Sequence, residues 1–142
     1  MGRIGKTVRE ELGLAYYAYS QVDGGFGPAP WSVSAGVNPA NVELALDRIR
    51  DEIRRLVTEP VGEDDLADNQ AYFVGHLPLQ LESNEGIAGA LRNMETFNLG
   101  LDYLVKYPDK IRSLTRADLL NAAKRYLNPD ALVVGVAGPE MR

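Results

Sequence analysis

No cysteine occurs anywhere in the 142 residues, and there is a single histidine, His76. The first absence excludes disulfide scaffolds, thiol nucleophiles and cysteine zinc sites. The second leaves too few donors for a zinc site, which needs about three protein ligands. His76 has no histidine four residues away, and an ordinary helix position is its simplest reading. No apolar run approaches the roughly 18–20 residues of a membrane helix, so no membrane partner is expected. There is no basic stripe: the formal charge is −5 and the pI is near 4.9, so nucleic acid is not expected either. Met1-Gly2-Arg3 leads into a helical pattern without the profile of a signal peptide. Lack of cysteine leaves the compartment open between cytosol and periplasm, with the cytosol slightly favoured.

Motifs of nucleotide and hydrolase chemistry are missing as well. Gly24, Gly25 and Gly27 are not followed by Gly-Lys-Ser/Thr, so they read as a hairpin loop rather than a phosphate cradle. No Gly-x-Ser-x-Gly elbow exists. The carboxylates Glu63, Asp64 and Asp65 are most simply charges at the positive start of a helix.

What the chain does have is core-forming material: 45% hydrophobic residues, enough to argue against disorder. Ile4, Val8 and Leu12 mark a short helix over 3–12, stopped at Gly13. Residues 14–21 are aromatic-rich and read as a strand, followed by a loop over 23–28. Residues 31–37 alternate, with Val33, Ala35 and Val37 expected toward the core and Ser32, Ser34 and Gly36 toward a wetter side. Asn38-Pro39 reads as a helix start. Val42, Ala45, Leu46, Ile49, Ile53, Leu56 and Val57 then form one apolar stripe. A further helix begins at 63–65 with the stripe Leu66, Gln70, Phe73, Val74 and Leu77, and Pro78 is expected to kink or end it. Ile87, Leu91, Met94 and Phe97 mark the next helix, stopped near 98–100. Short helical turns are expected around Pro108. Thr115-x-x-Asp118 resembles a capping box opening a helix through Leu119, Leu120, Ala123, Tyr126 and Leu127. The run 131–137 predicts a final buried strand. The order predicts an α+β fold, an antiparallel sheet with helices packed on one face.

One stretch carries chemistry. Val8-Arg9-Glu10-Glu11-Leu12-Gly13-Leu14-Ala15-Tyr16 puts an arginine in the last turns of a helix, a glycine reversal after it, and a tyrosine on the next strand. A guanidinium and a phenol converging across that turn could grip a carbonyl or an oxyanion. On spacing alone, a solvated Arg9 and a packing Tyr16 are the simpler reading.

The same residues closely resemble a signature of the insulinase/pitrilysin-like, processing-peptidase type zinc metallopeptidases, from Gly2-Arg3-Ile4 through Tyr16 to Ser20. Pro78-Leu-Gln-Leu-Glu82-Ser83, Thr115 to Leu127 and the closing Val133 to Pro139 support it, so the likeness covers essentially the whole chain. The resemblance implies a piece of a two-domain architecture enclosing a chamber. One domain holds zinc through His-x-x-Glu-His, which this sequence lacks. Residues 1–142 then form one domain fragment, the C-terminal portion of the other, non-zinc-binding domain. Arg9 and Tyr16 match by position the arginine and tyrosine that reach the substrate. Tyr16 would serve the oxyanion and Arg9 the substrate carbonyls or the intermediate's charge. Peptide is the implied substrate, and the zinc-binding domain, on the same chain or a partner subunit, the implied partner. The zinc belongs to that partner, and the fragment itself would be inactive and prone to self-association. A non-catalytic scaffold or partner subunit of the same family is the alternative, and a free-standing small-ligand module with a closed pocket is a third.

Overall fold

The apolar stripe that begins at Val42 forms a helix because nothing in it interrupts helical φ/ψ and its start is prepared. Asn38 accepts the Ala40 N–H on its side chain at 3.1 Å and Pro39 opens a 3₁₀ turn, Pro39–Asn41. In the computed structural model, which describes residues 2–22 and 24–139, this helix is α2 (Val42–Thr58). Asp23 of the expected loop lies outside the described residues. Before α2 come α1 (Arg3–Gly5), a π-helical segment (Lys6–Glu11), β1 (Ala15–Val22) and β2 (Trp31–Val37). After it come α3 (Glu63–Gln80), α4 (Asn84–Thr96), α5 (Tyr103–Arg112) and α6 (Arg116–Tyr126). The fold class is α+β, as expected. The chain divides into two compact units, Met1–Glu59 with Ala123–Arg142, and Pro60–Ala122.

The first unit is built on the antiparallel pair β1–β2. Its register sets Ala15 against Val37, Ala18 against Ala35, and Ser20 against Val33. That face meets the core of Ile4, Val8, Ala15, Ala18, Ala45 and Ile53, with Ile49 and Leu127 packed beside it. Ile53 and Val8 are fully buried; each such side chain contributes roughly 1.5–3 kcal/mol. The opposite face pairs Tyr17 with Gly36 and Tyr19 with Ser34. The Tyr17 ring lies over Gly36 so closely that a Cβ there would fall 2.5 Å from Tyr17 Cε1. Val33, Ala35 and Val37 face the core as expected, but the wetter side of β2 is not open: all its residues are half-buried.

The final strand does not form. Residues 131–137 carry no ladder hydrogen bonds, Leu132 alone packs against the core, and Val133 is fully exposed (101%). An apolar run predicts burial, but a strand also needs a neighbour whose amides and carbonyls it pairs; β2 residues Trp31–Val37 share two cavities with 131–139, yet no ladder bond links them. Tyr126, expected in the α6 stripe, is also exposed and lies under the Arg125 guanidinium.

The second unit is helical. Pro78 does not end α3, which runs two residues further to Gln80, and Pro108 sits inside one continuous α5. α4 starts on Ser83, whose hydroxyl accepts the Gly86 N–H. It ends in a Schellman motif: Leu99 N–H bonds Met94 O, Asn98 N–H bonds Glu95 O, and Asn98 takes φ +49°. The amide of Gln70 on α3 donates to the carbonyls of Ile111, Arg112 and Leu114, closing the end of α5. Arg116 reaches back to Val61 O at 2.5 Å and Glu63 at 3.3 Å. The capping box is present: Thr115 N–H donates to Asp118 Oδ2 at 2.9 Å, and Asp118 N–H to Thr115 Oγ1 at 3.2 Å.

Candidate functional site

Arg9 and Tyr16 lie on either side of one reversal, and both flanks of it are irregular. Lys6–Glu11 is wound as a π-helix, so Leu12 N–H reaches Thr7 O five residues back. Gly13, at φ +60°, turns the chain, a conformation that glycine adopts without strain. Leu14 N–H closes the turn on Val8 O at 2.9 Å, six residues back and so two further than an α-helix would give. The strand then begins at once with a bulge: the register shifts between Ala15 and Tyr17, which leaves Tyr16 as the extra residue. π-turns and β-bulges are local departures that re-aim side chains and recur at functional positions.

The buried neighbours fix where the two side chains go. Val8 is fully buried and Ala15 nearly so, and each is adjacent in sequence to a candidate residue. Arg9 is exposed, and Tyr16 is 88% exposed. Neither makes a hydrogen bond, ion pair or ring contact with another described residue. The structure therefore does not join Arg9 to Tyr16. It presents a guanidinium with five donors and a phenol with one, both outward, from the two ends of an eight-residue reversal. Such a pair is suited to a ligand bearing carbonyl or anionic oxygen that arrives from outside.

Behind the π-helical segment lies a residue that the motif did not reveal. Glu52 on α2 is buried at 4% exposure. Arg55 donates to its Oε1 at 2.9 Å, Thr7 Oγ1 donates to the same oxygen at 3.3 Å, and Arg3 Nε stands 3.3 Å from Oε2. That last contact is an ion pair without hydrogen-bond geometry, since Oε2 lacks a directed donor. The Glu52 charge, and then its hydrogen bond, raise the pKa of Arg55. The sequence held one signal: position 52 falls three residues after Ile49 and beside Ile53, so a carboxylate sits on the stripe that faces the core.

No three His, Cys, Asp or Glu side chains converge among the described residues, so they offer no donor set for zinc. His76 stacks on Tyr72 at 5.3 Å between ring centres. No helix among the described residues is long and apolar enough to cross a membrane.

The first unit, an antiparallel pair carrying α2 on one face, defines an α+β module. The family model described as peptidase M16 inactive domain matches residues 2–72, a span that includes Arg9, Tyr16 and Glu52. The chain belongs to this family, and it is a non-catalytic part of it. It is similar to the crystal structure of a peptidase M16 inactive domain from Pseudomonas fluorescens, with 27% identity and a TM-score of 0.76 over 90% of this chain and 30% of that one. A conserved protein from Enterococcus faecalis V583 shares the fold at a TM-score of 0.73 and 22% identity, over 84% of this chain and 28% of that one. The chain thus spans about 30% of the length of the first of these structures. No curated protein matches it.

Proposed function

We propose that this chain is the substrate-contacting, non-metal part of a zinc endopeptidase, with Arg9 and Tyr16 presented to the peptide. The observation that carries the reading is the paired irregularity at the reversal. A π-helical turn and a bulge together hold two polar side chains outward beside buried Val8 and Ala15. In this reading the Arg9 guanidinium donates to peptide carbonyls. The Tyr16 hydroxyl donates to the oxygen that gains charge as the scissile carbonyl is attacked. Metal-activated water is the chemistry that a zinc domain would supply, from the same chain or a partner subunit.

The test is peptide cleavage by the zinc-loaded, full-length protein that carries this segment. Wild type is compared with Arg9→Ala and Tyr16→Phe after melting curves show that both variants fold. Loss of one oxyanion-type donor should lower kcat by about 10²–10³-fold. Undiminished cleavage in both variants would make the two residues structural. A full-length protein with neither zinc nor activity would point instead to a scaffold subunit. Self-association of the isolated 142 residues is part of the same proposal. The two-stranded sheet and exposed Val133 and Val136 support it, and a strictly monomeric mass in solution would refute it.

A further inference from the structure

The side chains offered to the peptide are exposed, so their placement depends on the backbone that carries them. A π-helical segment does not hold its shape by its own hydrogen bonding; it persists where its surroundings impose it. Two anchors are available on the buried side of Lys6–Glu11. One is apolar, Val8 in the core. The other is Glu52, which meets Arg3 just before the segment and Thr7 inside it.

We infer that Glu52 is a positioning residue for Arg9, an inference that rests on the function proposed above. Arg3 and Thr7 are four residues apart and share one side of the helix, where a single buried carboxylate can hold both. Thr7 has a second role, because its carbonyl accepts the Leu12 N–H that defines the π-turn. Arg9 follows Thr7 by two residues and so points to the far side of the same turn. Securing Thr7 from behind therefore sets the direction of Arg9 in front. The directed bonds fall on Oε1, from Thr7 and Arg55, while Oε2 meets Arg3 through charge alone, so Thr7 is the contact that fixes the direction of the segment and Arg3 the one that offsets the buried charge.

The experiment is a double-mutant cycle in the full-length protein. Glu52→Gln, Arg9→Ala and the double variant are assayed for peptide cleavage, and amide exchange is followed over residues 6–14 and over β1–β2. Glu52→Gln should lower kcat by about 10–100-fold, the scale of a small misplacement at a reacting centre, and should add nothing once Arg9 is alanine. It should also speed exchange at 6–14 while β1–β2 amides keep their protection. Where Glu52→Gln does not fold, Thr7→Val removes only the hydroxyl contact and should show the same non-additivity with a smaller loss. Independent, multiplying losses, or unaltered exchange at 6–14, would overturn the positioning role while leaving Arg9 in its proposed function. An Arg9→Ala protein that cleaves normally would overturn the function itself, and the positioning role with it.

Discussion

Both units carry helices with apolar stripes, yet only one of them closes a core. In the first, α2 lays its stripe on the β1–β2 face, and Ile4, Val8, Ala15, Ala18, Val42, Ala45 and Ile53 are buried. In the second, Met94 is the one hydrophobic side chain buried among the described residues, while Ile87, Leu91 and Phe97 of the same expected stripe stay exposed. That unit is held by directed polar contacts instead: Gln70 on three carbonyls, Arg116 on Val61, and helix caps at Ser83 and Thr115. A hydrogen bond contributes only about 0.5–1.5 kcal/mol net, less than a buried Ile or Val. The lesson is that amphipathic periodicity specifies a helix, whereas burial requires a second surface to receive it. The candidate site sits on the unit that has such a surface.

The strongest challenge to this contrast is a pair of truncations. Ile53→Ala removes a side chain that is 1% exposed and should cost about 2–5 kcal/mol in urea unfolding. Leu91→Ala, at an exposed position of α4, should stay within about 0.5 kcal/mol. Comparable losses would mean that the second unit buries more than it displays. A medium effect is expected where polar contacts substitute for a core. Gln70→Leu keeps the bulk but removes all three donations, and should cost about 1 kcal/mol and speed amide exchange around the end of α5 near Ser113. Unchanged exchange there would assign the closure of α5 to packing. The smallest effect is a pH response. Hydrogen bonds from the Thr115 hydroxyl and backbone lower the pKa of Asp118. A carboxylate depressed in the folded state contributes fully above its unfolded value and loses that contribution as the pH falls through the lower folded one. Helix content of α6 should therefore drop in that acidic window for wild type and show no such step in Asp118→Asn.

Much of the fold was legible because its signals are local. The α2 stripe, the Asn38-Pro39 start, the Thr115–Asp118 box and the two strands each depend on residues a few positions apart. Most of the differences depend on something distant. The run 131–137 has the composition of a strand but no ladder partner. Ile87, Leu91 and Phe97 have the right spacing but are only partly covered. Pro78 lacks only its own amide and crowds only the turn before it, so later amides still bond and α3 runs on to Gln80. At the candidate site, Arg9 and Tyr16 could be named from their motif, but not the π-turn that carries one or the bulge that carries the other. Residues spaced by four, as Ile4, Val8 and Leu12 are, fit α and π winding almost equally. Glu52 is hard to read from sequence because a carboxylate within an apolar stripe looks like an interruption until its partners are seen.

The ring of Tyr17 over Gly36 ties two positions nineteen residues apart into one heritable unit. A methyl group added at 36 has no room while the Tyr17 ring occupies that space, so a change at 36 requires the ring to swing aside or position 17 to change with it. Sequences carrying alanine or a larger residue at 36 should show a small side chain at 17, and a library randomised at both positions should recover them as matched pairs.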